Sequence, residues 1–146
     1  MKKWFLVLMS GIVVITVRAQ YSGEIKIERL LKTDTTETGQ PINYPDISNE
    51  EVTILKVTIP PGKSTGWHKH LFPVFAYVLD GTLTVQQENG KKIRIKKNAS
   101  VSESINMYHT GINEGRKPVV LIVFYMGEKD KPVSVKKDDD EVQKNL

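Results

Sequence analysis

Three histidines occur in the 146 residues, and two of them, His68 and His70, are separated by a single residue. Alternate residues on a strand point to the same face, so both imidazoles can reach one ligand. The third, His109, lies in a second compact segment, ESINMYHTGIN, beyond a hairpin-like region. Imidazole suits zinc, iron, copper and nickel, and three of them hold an ion with coordination positions left open. Open positions admit water, dioxygen or a chelating substrate. The same His-x-His spacing is met by two partly exposed histidines with no ligand, and periodicity does not bring His109 to the pair. A closed sheet that sets a remote strand opposite the first would do so. The chain has no cysteine, which removes disulfides, thiolate metal sites and cysteine nucleophiles.

The elements that must position these groups are short strands. Glu51 to Ile59 alternates, with Leu55, Val57 and Ile59 on one face and Lys56 and Thr58 on the other. Pro60-Pro61-Gly62 ends it, because proline lacks a ladder donor and glycine permits a sharp turn. Trp67 to His70 forms the next strand and, after a break at Leu71 to Pro73, Val74 to Leu79 another. Asp80-Gly81 and Asn89-Gly90 are hairpin turns on either side of Leu83 to Gln87, the second leading into Lys92 to Ile95. Val101 to Ile105 is short and polar, and Pro118 to Met126 is an apolar closing strand, buried in part on both faces. Glu24 to Lys32 offers an edge or dimer-exchange strand. Thr33 to Asn49 is a long covering loop with apolar anchors at Ile42 and Tyr44. Many short strands divided by turn residues predict one all-β domain, a barrel or a sandwich.

Lys2 and Lys3, the apolar run Trp4 to Val17 and the ending Val17-Arg18-Ala19 follow the pattern of an export signal. The run is short for a membrane span, which needs about 17 to 25 residues. Cleavage after Ala19 leaves no stable span, and the expected location is periplasmic or secreted; retention as an anchor is the other reading. Without Lys2, Lys3 and Arg18, 18 basic residues face 17 acidic ones, so the formal charge of +4 gives no argument for a nucleic-acid partner. The basic stretch from Lys91 to Lys97 is interrupted by Ile93 and Ile95, as in a strand with one solvated face. The expected organisation is a signal peptide at 1–19, an N-terminal strand and covering loop at 20–50, a β-barrel at 51–127 and a charged tail at 128–146.

The stretch from Gly62 to Gly81 resembles the first motif of the cupin superfamily: glycine, five residues, His-x-His, three or four residues, glutamate, six residues, glycine. Gly62, His68, His70 and Gly81 match it, and Val74 stands where glutamate is expected. His109 and Asn113 match the end of the second motif, whose earlier Gly, Pro and Gly positions hold Asn98, Ser104 and Asn106. Leu30 to Gly127 is similar to small exported single-domain cupins with a PPG…GWHxHxxPxFAYVLxGxL signature. The resemblance implies a cupin-type β-barrel (a double-stranded β-helix, or jelly roll) and one divalent metal on His68, His70 and His109. Iron is the first expectation, with zinc, manganese or nickel as alternatives.

Valine cannot ligate, so the resemblance implies a three-histidine variant without the usual glutamate. Glu103 is either a replacement carboxylate or a solvent-facing strand residue. Phe72 and Met107 are candidate pocket walls, and Asn113 is a candidate partner for a liganding histidine or a turn cap. Phe124, with Val120 and Ile122, is expected inside the barrel. The function expected is an Fe(II)-dependent, dioxygenase-like oxidoreductase acting on a small chelating substrate. The alternatives are a non-catalytic ligand-binding or scaffold protein, and a metal-dependent isomerase or lyase. Small cupins commonly dimerise through an N-terminal strand, which would make Ile25 to Leu31 a homodimer contact.

Overall fold

The computed structural model describes residues 25–139. The expected leader at 1–19 lies outside them, as does the end of the tail at 140–146. Nine strands form: β1 (Glu50–Ile59), β2 (His68–Lys69), β3 (Val74–Asp80), β4 (Thr82–Gln87), β5 (Lys92–Lys96), β6 (Ser100–Ser102), β7 (His109–Ile112), β8 (Val119–Glu128) and β9 (Val135–Lys136). They make two sheets, β1-β8-β3-β6 and β5-β4-β7-β2-β9. No strand belongs to both, so the expected closed barrel is corrected to an open two-sheet sandwich. A closed ladder needs hydrogen bonds across every seam. Pro60 and Pro61 end β1, and Pro73 separates β2 from β3, so two of the crossings between sheets run through residues with no ladder donor. At β2, β6 and β9 the strands are two or three residues long. Isolated bridges, Ser64 to Ile112 and His70 to Ile105, and a few single backbone hydrogen bonds supplement them at these places.

The apolar β8 is the spine of the four-stranded sheet, pairing Val123 with Leu55 on one side and Ala76 on the other. Its buried residues are Val119, Leu121 and Val123, packed with Ile59, Val74, Ala76 and Val78 against Leu83, Val85 and Ile95 of the second sheet. Val120, Ile122 and Phe124 therefore take the opposite face to the one expected, and Phe124 is exposed on the outside. An all-apolar run carries no alternation, so its parity is fixed by what it pairs with. The expected Asp80-Gly81 hairpin is corrected to a bend that carries the chain from one sheet to the other, since β3 and β4 lie in different sheets and do not pair; the Asn89-Gly90 hairpin joins β4 and β5 as expected. Gly81 sits at φ +82°, and a Cβ there would lie 3.0 Å from the Pro118 carbonyl oxygen.

Ile25 to Lys32 forms no strand among the described residues. Leu30, Leu31, Ile42 and Tyr44 face Phe75, Tyr77 and Phe124 across a groove of about 580 Å³ on the outer side of the four-stranded sheet. The start of the tail turns back onto the second sheet, where β9 pairs with β2. No helix among the described residues is long and apolar enough to cross a membrane.

Candidate metal centre

The ladder itself brings two of the histidines together, since His68 and His109 are direct partners between β2 and β7. His70 follows at the end of β2, beside Ile105. The ring centroids are 4.7 Å apart for His68 and His109, 5.0 Å for His68 and His70, and 5.1 Å for His70 and His109. Each imidazole is turned by its own Nδ1. That atom lies 2.9 Å from the Gly66 carbonyl oxygen in His68, 2.8 Å from that of Val133 in His70, and 3.0 Å from that of Met107 in His109. A carbonyl only accepts, so Nδ1 carries a proton, and in the neutral ring Nε2 keeps its lone pair for a metal. In the metal-free protein a second proton, on Nε2 of His70 or His109, would be donated to Glu103.

A carboxylate completes the group. Glu103 Oε2 lies 3.0 Å from His70 Nε2 and 3.3 Å from His109 Nε2. One donor atom from each of His68, His70, Glu103 and His109 falls within 4.8 Å of all the others. The expected three-histidine site without a glutamate is thereby corrected to three histidines and a glutamate. Val74 is buried and cannot ligate, but its carbonyl oxygen accepts the Glu103 N–H at 2.9 Å. With Phe75 opposite Ser102 in the antiparallel β3–β6 pair, Glu103 is the cross-strand neighbour of Val74. Such neighbours share a face, so the carboxylate arrives from the adjoining strand end.

The electrostatics fit a cation. Burial is the largest influence on Glu103 and opposes its charge, but hydrogen bonds with His109 and His70 outweigh it and hold the carboxyl well below the usual range. Burial also pulls His109 down, yet the Glu103 hydrogen bond and charge prevail and raise it. His68 is lowered to about 4, chiefly by burial and further by the neighbouring His109 and His70. Three inward nitrogen lone pairs and a carboxylate repel one another unless protons or a cation lie among them. This donor set, buried at His70, Glu103 and His109 and half-buried at His68, with its imidazoles already oriented by backbone carbonyls, suits a divalent transition metal.

Beside the cluster is a cavity of about 150 Å³, bounded by Val57, Leu83, Val85, Leu121 and Val123, by Tyr125 and Thr65, and by Ser134 and Lys136 from the returning tail. Tyr125 stacks edge-on against His70 at 5.6 Å. Its hydroxyl pKa is pushed up to about 12, first by burial and then by the negative charge of Glu103.

The other expected site residues lie elsewhere. Asn113 caps a turn: its Nδ2 donates to the Ile59 and Lys117 carbonyl oxygens, both at 2.8 Å, and its Oδ1 accepts from the Gly115 N–H at 2.9 Å. Phe72 packs near Gly127 on the far side of Tyr125. Met107 serves through its backbone carbonyl, and Phe124 lines the outer groove. Tyr125, Lys136 and the three orienting carbonyls were not among the expected site residues. Asn98 and Asn106, at the lost glycine positions, have φ of +66° and +55°. Asparagine tolerates that region better than other side chains do.

Residues 55–125 match the family model described as a cupin domain. No curated protein sequence matches the chain. Among solved structures, the fold is similar to the DMSP lyase DddQ from Ruegeria pomeroyi, with a TM-score of 0.53 and 17% identity over 61% of this chain and 44% of that one. A Klebsiella pneumoniae protein with a double-stranded β-helix domain gives a TM-score of 0.51 and 15% identity, covering 66% of this chain and 92% of that one. The Lactobacillus farciminis oxalate decarboxylase, solved as a formate complex, gives 0.52 and 16% over 63% of this chain and 28% of that one. The chain spans less than half the length of the DMSP lyases it matches. At these identities the likeness establishes the fold.

Proposed function

We propose that this protein is a metal-dependent cupin of the lyase or isomerase kind, acting on a small organic molecule that offers an oxygen to the ion. The observation that carries the reading is the oriented tetrad of His68, His70, Glu103 and His109 opening onto the small cavity beside it. A divalent ion held there would supply Lewis-acid polarisation of a carbonyl or carboxylate oxygen. The protein's own groups do the rest. Val57, Leu83, Val85, Leu121 and Val123 keep water from the ligand's apolar part. Tyr125, with its pKa near 12, stays protonated at neutral pH and offers a hydrogen bond or a proton. Lys136, on the same strand row as His68, brings positive charge to the cavity and favours an anionic ligand. Structures of the same fold described as DMSP lyases and an oxalate decarboxylase support the choice of this class over the dioxygenase expectation.

The test is metal analysis of untagged, metal-replete protein, followed by titration of the metal-loaded form with small keto, hydroxy and dicarboxylic acids. Stoichiometric metal, a rise in thermal midpoint and ligand-dependent shifts in the metal spectrum are expected. Absence of metal, with an unchanged midpoint on adding iron, zinc or manganese, refutes it. Ligand-dependent oxygen uptake by the iron form would restore the oxidoreductase reading. Export belongs to the same proposal: the pattern over residues 1–19 supports it, and fractionation of cells expressing the full chain tests it.

A further inference from the structure

Glu103 sits on a segment without a strand of its own, between the end of β6 at Ser102 and the start of β7 at His109. A liganding carboxylate must nonetheless be held to within a fraction of an ångström. On one side the segment is fixed by the first motif: Glu103 N–H donates to the Val74 carbonyl at 2.9 Å and Asn106 N–H to that of His70 at 2.8 Å. The other side is met by the loop at 34–42. That loop is drawn closed by Ile42 N–H on the Asp34 carbonyl and Thr36 N–H on the Gln40 carbonyl, both at 2.8 Å.

Its contacts fall on the residues flanking Glu103. Glu37 N–H donates to the Ser102 carbonyl at 2.9 Å. Glu37 Oε1 accepts from the Ser104 N–H at 3.0 Å and also from the Ser104 hydroxyl. Gln40 grips Ile105 twice, with Oε1 accepting from its N–H at 3.0 Å and Nε2 donating to its carbonyl at 3.1 Å. The second Glu37 oxygen is buried without a partner. Such an arrangement costs stability, while Oε1 holds Ser104 by both its N–H and its hydroxyl.

We propose that Glu37 and Gln40 are positioning residues for the metal site, clamping Ser102 to Ile105 so that the Glu103 carboxylate stays aimed at His70 and His109. Both lie outside residues 55–125, so a determinant of metal binding comes from beyond the matched domain. The inference rests on reading the tetrad as a metal site.

The probe is Co(II) alone, titrated into the full chain well below each variant's thermal midpoint. Glu37→Ala with Gln40→Ala should weaken Co(II) binding by about 10–100-fold, the usual effect of losing the partners of a ligand. Its visible bands should move toward those of Glu103→Ala. Gln40→Ala alone, the milder change, should move both readouts in the same direction. Glu37→Gln, which keeps an acceptor for Ser104, should restore the parent spectrum. Ile42→Ala, in the same loop but away from the clamp, should retain it. Parent-like affinity and bands in both Gln40→Ala and the double variant would overturn the clamp while leaving the metal site standing. A parent that takes up no Co(II) would overturn the metal reading and the clamp together.

Discussion

Replacing Glu103 by glutamine removes one charge and changes almost no volume, so it isolates what the carboxylate does. At 3.3 Å from His109 Nε2, the anion attracts a proton on that ring by about 5 kcal/mol at an effective dielectric near 20, before burial is counted. In the metal-free protein this attraction is what lifts His109 above its ordinary pKa against the opposing effect of burial. Without it burial prevails, so His109 in the variant should titrate below its ordinary range, followed by NMR of the ring protons. Metal affinity should fall by about 100-fold or more, since losing merely an outer partner of a ligand already costs about 10–100-fold. Calorimetric titration with Co(II) or Zn(II) measures this directly. A variant that binds metal as the parent does, with His109 still raised, would show that Glu103 is a neutral spacer and that the electrostatic account of the cluster is wrong.

Three further outcomes follow from the geometry. Val74→Glu puts a second buried carboxylate beside Glu103 and should destabilise the metal-free protein by about 3 kcal/mol or more; in denaturant melts, combining it with Glu103→Val should recover much of that loss, and failure to do so means the two positions do not share a face. Asn113→Ala strips the Ile59 and Lys117 carbonyls of their donor and should cost about 2–4 kcal/mol with metal affinity unchanged, whereas a selective loss of metal would return Asn113 to the site. In chelator-treated protein, unfolded His68 takes a proton near pH 6.5 but the folded ring does so only near 4, so acid favours the unfolded chain across that window. Stability should fall by up to about 3 kcal/mol from pH 6.5 to 4, and His68→Asn should flatten the slope in urea melts.

Much of this arrangement is legible in the residues alone. The alternation of Glu51 to Ile59, the Asn89-Gly90 turn and the His-x-His pair are local patterns, and they place β1, the β4–β5 hairpin and two of the ligands. Glu103 is harder, because its role depends on a ladder partner, Val74, that lies far away in sequence and carries no charge to mark the pairing. Tyr125 is hidden for a related reason: in Val-Val-Leu-Ile-Val-Phe-Tyr-Met every residue is apolar or aromatic, so the inward face is decided by pairing with β1 and β3. The open edges of the two sheets were equally out of reach, since closure depends on hydrogen bonds across seams where strands of two or three residues leave no periodic trace.

Those seams give the cluster a second role. His68 and His109 belong to one sheet, while Glu103 continues the last strand of the other. An ion gripped by all of them would act as a rivet through two plates that are otherwise pressed together mainly by their oily inner surfaces. Emptying it should let this rim breathe first, with amide deuteration quickening around residues 103–109 and along β9 while the β1–β8 spine stays slow.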